Sequence, residues 1–368
     1  MGRLYPPFRE GKLVPLFRAD DLRKLGVALF DVVGVPTTEA ELVADHLVES
    51  GLLGHDSHSV LRYPQYVDMV RNGVVDPRAQ LDVLEETPCM AQVSGGWNFG
   101  PVTATAAVEL AVAKARRSAF AVVTVQQCNH IARLGRFAAL AARQNLIAMI
   151  FANGHGSDLA VAPFGGTQRR LPTNPLCVAI PTAQQWPVVL DMTTSMLSGG
   201  DLRLHRNLEE PAPPGHIIDA GGLPTTEVEA YYGPPQGAIL PLGFPLSGHK
   251  GTGLGVIVDI LAGALSGAGC TRAEPPESGN ALLVAVLDIA AFTPLEDFLA
   301  ETERFVDWIK SCPPAAGFDE VVLPGEKSHH TYQRRCREGL YVDESAWKQI
   351  CELAAELEVE LPVSLEDG

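Results

Sequence analysis

The chain has 368 residues, and 28 Lys and Arg against 44 Asp and Glu give it a formal charge of −16. A hydrophobic content of 46% supplies a large core and excludes a disordered chain. The acidic balance repels phosphate backbones and speaks against nucleic acid as a partner. The length fits two or three domains. Leu254 to Leu265, the longest apolar stretch, is broken by Gly255, Asp259 and Gly263. It falls short of the about 20 apolar residues that a membrane span needs. Met1 to Asp20 mixes charges and prolines and lacks the apolar segment of a secretion signal. Seven scattered cysteines, an odd number with no Cys-x-x-Cys pair, point to a reducing cytoplasm rather than a disulfide framework or a structural zinc site.

In chain order, the first quarter reads as helical. Thr38 and Glu41 have the spacing of a capping box, followed by Leu42, Val43 and Leu47 at helical intervals. A polar run, Gly54-His55-Asp56-Ser57-His58-Ser59, then precedes Leu61-Arg62-Tyr63-Pro64-Gln65-Tyr66 and suits an element end that faces a cleft. Thr103 to Arg117 is Ala-rich and helix-favouring, Phe120 to Val125 is a β-branched strand, Leu134 to Arg143 is helical and Leu146 to Phe151 is strand-like. Cys177 to Ile180, Val188 to Leu190 and Ala281 to Ile289 are further strands, so the alternation indicates an α/β or α+β core. Residues 191–248 are dense in Gly and Pro and read as long loops. Leu254, Ile257, Val258, Leu261 and Leu265 form one helical face, and a last helix starts near Ser345.

The strict dinucleotide fingerprint G-x-G-x-x-G is absent. Gly251-Thr252-Gly253-Leu254-Gly255 opens a helix and, with Lys250 before it, suits either an anion or close helix packing. His55 and His58 stand at i, i+3, but no spacing demands that His130 or His155 complete a metal site, so none is expected. An imidazole titrates near neutral pH and can carry a proton. His58, Arg62 and Tyr66 at four-residue intervals would share one helical stripe, and the guanidinium fork suits a carboxylate. Asn129-His130 lies at the carboxyl end of a strand, where open sheets place ligands. Ala162 to Thr167, Leu171 to Pro175 and Val189 to Ser195 add turn chemistry and a strand ending in Asp191. From these residues alone the reading is an α/β enzyme with a polar cleft.

Together these motifs resemble the malate/L-lactate dehydrogenase-type family of NAD(P)-dependent oxidoreductases, which is distinct from the Rossmann-fold lactate and malate dehydrogenases. The resemblance runs over nearly the whole chain. It implies a mixed α/β fold, with a helical part from 1–85 packing with 290–368 around a central cofactor and cleft region at 86–289. It aligns Ser57-His58-Ser59 with the family's S-H-G motif, making His58 the proton donor to the substrate. Arg62, Tyr66 and His130 fall on substrate-holding positions, with His130 a second active-site histidine and Asp191 an orienting group. The resemblance gives the cofactor contacts as Thr173, Asn174, Asp191, Met192, Thr193, Ser195, His249, Lys250, Gly251, Gly325 and Glu326.

This chain departs from the family pattern at Ser59, Pro172 and Thr252, and its Asn153 to Asp158 run looks longer than in many relatives. The implied reaction is hydride transfer between NAD or NADP and the C2 carbon of a small 2-oxo or 2-hydroxy acid. The implied assembly is a homodimer. Reduction of a cyclic imine carboxylate is the alternative, and a cofactor-binding protein without catalysis a third. Arg203, His205 and Arg206 are candidates for meeting the 2′-phosphate of NADP.

Overall fold

The computed structural model describes residues 15–155, 159–184, 186–274 and 277–365; most of Met1 to Asp20 and the end of the Asn153 to Asp158 run lie outside them. The chain opens with β1 (Leu16–Phe17), α1 (Ala19–Val32), α2 (Thr37–Leu52) and α3 (Tyr63–Arg71). Leu22, Leu25, Leu29 and Phe30 bury one stripe of α1 against Val43, Leu47 and Val48 of α2, as amphipathic spacing dictates. The sequence predicts a capping box at Thr38 and Glu41. Instead, α2 starts at Thr37 behind Pro36, with no side-chain cap. Pro36 at the N-cap position fixes φ at −59° and so sets the entry of the chain into α2.

The central layer follows: β2 (Asp82–Thr87), β3 (Met90–Ser94), α4 (Gly100–Ser118), β4 (Phe120–Cys128), α5 (Gly135–Ala142), β5 (Leu146–His155), β6 (Leu176–Ile180) and β7 (Val188–Met192). After α6 (Gly199–Asn207), β8 (Ile217–Ile218), β9 (Pro224–Thr225), α7 (Val228–Tyr232), β10 (Ala238–Ile239) and α8 (Gly248–Asp259), the chain returns as β11 (Gly279–Asp288). Seven strands form one mixed sheet in the order β2-β3-β4-β11-β5-β6-β7, with β3 parallel to β4 and the other neighbours antiparallel. β11 lies in the middle, and its nearly unbroken apolar run, Ala281 to Val286, is what a strand covered on both faces requires. Ala104, Ala107, Val108, Ala111 and Ala115 of α4 press onto this sheet.

Residues 191–248 are not only loops. They hold α6, α7 and a three-stranded sheet ordered β10-β8-β9. Strands of two residues leave no periodicity to read, so this small sheet was invisible in the sequence.

The chain ends with α9 (Leu295–Lys310), α10 (Glu326–Glu338), β12 (Leu340–Tyr341) and α11 (Glu344–Glu356). β12 pairs with β1, and Ile350, Leu353 and Ala354 of α11 join the α1–α3 core. The expected apolar face forms on α8 and the helical turn after it but is largely exposed: Leu254 and Ile257 of α8 are 41% and 54% exposed and Leu265, past its end, 57%, while Val258 is buried. On α9, Phe305 and Trp308 are likewise exposed.

Gly26 marks how tightly the N-terminal helices pack. An added Cβ would stand 2.5 Å from the buried Tyr63 ring, whose hydroxyl donates to Leu22 O at 2.9 Å. Alanine would gain about 1 kcal/mol of helix propensity. Overpacking a rigid ring costs about 1–3 kcal/mol. Gly26→Ala therefore lowers the thermal midpoint, and the same substitution in a Tyr63→Leu background raises it, as paired melting curves would record.

Candidate active site

The polar run after α2 does not continue as a helix. Asp56–His58 and Val60–Arg62 are two short 3₁₀ turns with Ser59 in extended conformation between them, and α3 starts only at Tyr63. His58, Arg62 and Tyr66 therefore share no helical stripe, yet the turns gather them. Ser57 Oγ lies 2.9 Å from His58 Nδ1. Arg62, 6% exposed, donates from Nε to Ser57 O at 2.9 Å and from Nη1 to Gln65 Oε1 at 2.6 Å. The His58 and His130 rings stack with centroids 5.7 Å apart and planes 13° apart.

Tyr66 Oη is 2.9 Å from His130 Nδ1 and 3.1 Å from His130 O. A phenol has one proton and a carbonyl only accepts, so the proton goes to the carbonyl and His130 Nδ1–H donates to the phenol. That leaves His130 Nε2 as an acceptor. The Nε2 atoms of both histidines have no partner among the described residues. Burial, then Arg62 and the neighbouring His130, hold His58 well below the usual imidazole range. Burial, Arg62 and Arg203 hold His130 down at about 3. Both rings are neutral at neutral pH.

The segment 129–134, between β4 and α5, brings His130 here. Asn129 Nδ2 lies 3.0 Å from Val74 O and 2.6 Å from Trp97 O, and Asn280 Oδ1 accepts from Ile131 N at 3.1 Å. Further along, Arg133 N donates to His46 Nε2 at 3.3 Å. The Arg133 guanidinium reaches toward Glu49, 3.8 Å away, and acts on Asp191. Asp191 Oδ2 accepts from Gly135 N at 2.6 Å, at the start of α5. Burial pushes the Asp191 carboxyl up, against the pull of Arg133 and the Gly135 N–H.

A second polar cluster lies under the far end of β6 and β7. Thr194 donates from N and from Oγ1 to Thr173 O, each at 3.0 Å. Asn174 adopts φ 37°, so the positive φ falls on an asparagine and Pro172 does not obstruct it. Its Nδ2 donates to Gly255 O and to Asp259 Oδ2, both at 2.9 Å. Asp259, 4% exposed, also accepts from Asn153 Nδ2 at 3.2 Å, Thr271 N at 2.9 Å and Thr271 Oγ1 at 2.6 Å. Asn280 Nδ2 donates to Asn153 O at 3.0 Å and so ties this cluster to the His130 segment.

The remaining expected residues are placed as follows. Met192 pairs with Leu176 across the sheet, Thr193 Oγ1 donates to Ser195 O at 3.0 Å, and Ser195 Oγ donates to Leu197 O at 2.6 Å. His249 and Lys250 are exposed in the first turn of α8, and Gly251 faces the Leu242 backbone, where a side chain would collide. Gly325, at φ 88°, packs on Val189. The Glu326 carboxylate takes Leu323 N at 2.8 Å and Lys310, which hold it below the usual range against the effect of burial. No described contact joins His249, Lys250, Gly325 or Glu326 to the histidine pair.

Of the three residues considered for a 2′-phosphate, Arg206 is paired with Glu229 and lies 4.2 Å over the Tyr232 ring. Arg203 is one of the cations whose charge lowers His130. Among the described residues no group of three or more His, Cys, Asp or Glu could hold a metal ion.

Sequence reasoning missed Arg133, Asp259, Asn280 and Gly200. Gly200 lets α6 close onto the site: an added Cβ there would stand 2.7 Å from Ser57 Cβ and 3.5 Å from Arg62 Nη2. Asp259 did leave a signal, as a lone carboxylate inside an apolar helical run. Arg133 and Asn280 left none, because their partners are remote in sequence.

Residues 17–351 match the malate/L-lactate dehydrogenase family. The chain is 33% identical to the L-lactate dehydrogenase of Cupriavidus necator over 346 residues, covering 93% of this chain and 98% of that one. Among solved structures it is similar to the malate dehydrogenase of Pyrococcus horikoshii, with a TM-score of 0.85, 32% identity and coverage of 96% and 99%. It is also similar to the Δ1-piperideine-2-carboxylate reductase of Pseudomonas syringae, with a TM-score of 0.78, 26% identity and coverage of 92% and 99%. The missing glycine fingerprint, the mixed sheet and the paired histidines thus meet in one conclusion: the chain belongs to the malate/L-lactate dehydrogenase family and is an oxidoreductase acting on the CH–OH group of hydroxy acids.

Proposed function

We propose that this protein interconverts a small 2-oxo acid and its 2-hydroxy acid with NAD or NADP, and that His58 carries the proton. The observation that supports it most is the arrangement of His58 and His130, stacked, with no partner for either Nε2 among the described residues and with Arg62 beside them. Arg62 receives the substrate carboxylate, while Ser57 fixes the His58 ring through Nδ1 so that Nε2 meets the oxygen at C2. His130 and Tyr66 complete the substrate side, and Asp191 orients the cleft through Arg133 and the start of α5.

The nicotinamide supplies or accepts the hydride when bound. His249 and Lys250, exposed in the first turn of a twelve-residue helix whose leading N–H groups favour anions, suit its phosphates. Thr173, Asn174, Gly251 and Thr193 to Ser195 shape the wall beside it, with Met192, Gly325 and Glu326 along β7 and at the start of α10. Asn174 acts from beneath, since its side chain is buried.

Reduction of a cyclic imine carboxylate is the second reading. His130 Nε2, left as an acceptor, suits the N–H of a protonated imine, and a reductase of that class is among the similar structures.

The free enzyme holds His58 below its usual range, so the neutral base is present throughout the neutral region. A carboxylate on Arg62 offsets one cause of that depression and favours proton uptake. The kcat/KM for hydroxy-acid oxidation therefore stays level as the pH falls through about 6.5, the ordinary histidine value, and declines only in more acid solution. In the reductive direction kcat/KM keeps rising as the pH falls through the same point. His58→Ala lowers turnover about 10²–10⁴-fold while fluorescence titration shows reduced nicotinamide still bound. A break at or above 6.5, or an unchanged turnover, contradicts the assignment.

We further propose a homodimer, supported by the exposed apolar residues Leu254, Ile257, Phe305 and Trp308. Light scattering on the purified protein should give twice the chain mass, and Ile257→Glu should shift it toward the monomer.

A further inference from the structure

Arg335 lies on α10, outside the cleft, and is 8% exposed. Its guanidinium forms a two-point pair with Asp56, Nη1 to Oδ1 and Nη2 to Oδ2 at 3.1 Å, and Nη1 also donates to Gly51 O in the last turn of α2. Asp56 opens the 3₁₀ turn that ends in His58. The same α10 brings the Thr331 methyl within 3.2 Å of where a side chain on Gly54 would start. From inside the cleft, Arg62 holds Ser57 O. The turn bearing His58 is thus held by two guanidinium groups, Arg335 through Asp56 and Arg62 through Ser57 O.

We propose that Arg335 is a positioning residue for His58, setting the place of the imidazole without touching substrate or cofactor. The inference rests on His58 as the proton carrier. Two features carry it. A two-point guanidinium–carboxylate pair fixes direction as well as distance, which a lysine cannot reproduce. The turn is only three residues long, so displacing Asp56 displaces His58 with it. Misplacement on the order of 1 Å costs about a hundredfold in rate.

Arg335→Ala, Arg335→Lys and Asp56→Asn are compared with the unaltered protein by kcat, by KM for the 2-oxo acid and by fluorescence titration of reduced nicotinamide. Each variant is expected to lose roughly 10–100-fold in kcat, with the cofactor dissociation constant changed by no more than about twofold. Added guanidinium ion should restore part of the turnover of Arg335→Ala and none of that of His58→Ala. A folded Arg335→Ala with full kcat overturns the proposal, as does a uniform loss in kcat and cofactor affinity without guanidinium rescue. If the Arg335 variants do not fold, Asp56→Asn removes the same pair from its more exposed side, and full kcat there overturns it equally. Turnover that survives His58→Ala removes the proton-carrier reading. Turnover that fails in His58→Ala but persists in the Arg335 variants removes only the positioning role.

Discussion

The site depends on how residues 129–134 are held. They join a central strand to α5 without regular hydrogen bonding of their own, and a buried backbone left unpaired would be costly. Asn98 O answers part of this by accepting from Asn129 N and Asn280 Oδ1 by accepting from Ile131 N, while the Asn129 side chain anchors the segment by donating to Val74 O and Trp97 O. Ala132 adopts φ 62° within the same stretch, a conformation that a non-glycine residue holds only where its surroundings enforce it. Once fixed, the segment does two things. It stacks His130 on His58, and four residues after Asn129 it inserts Arg133 between Glu49 and Asp191.

Electrostatics gives the cleft a character unlike that of the whole molecule. The chain carries a charge of −16, which would repel a small carboxylate. Arg62 and Arg203 bring cations to His58 and His130, Arg133 brings one to His46 and His55 nearby, and a low local dielectric strengthens such effects. Burial first, and these guanidinium groups after it, keep the His58 and His130 imidazoles below the usual range. Arg62 is the one guanidinium that acts on both His58 and His130, so under the proposed function a carboxylate placed on it would couple substrate charge to proton occupancy.

Elements with period or composition were readable in the sequence. The strand at Phe120 was predicted from its β-branched run, and the structure extends it to Cys128. The helix at 103–117 was legible from its alanines, and it begins three residues earlier, at Gly100 behind Phe99. The histidine turn was legible as chemistry but not as shape, because a helical spacing of three and four was produced by two 3₁₀ turns and a helix start. The helical face at Leu254, Ile257 and Val258 was legible as apolar, but its exposure was not, because helical periodicity reports that a face is apolar and not what covers it. Arg335 was out of reach altogether, since its partner Asp56 is 279 residues away.

The central claim is that one cleft reduces a carbon adjacent to a carboxylate. Its most direct test is to follow the loss of reduced-nicotinamide absorbance when the purified protein meets a panel of small 2-oxo acids and cyclic imine carboxylates, with NADH and with NADPH. The account predicts turnover with at least one 2-oxo acid and formation of the matching 2-hydroxy acid in equal amount. Turnover with the cyclic imines alone would transfer the reaction to the second reading. Tight nicotinamide binding without turnover on any member of the panel would contradict the assigned chemistry.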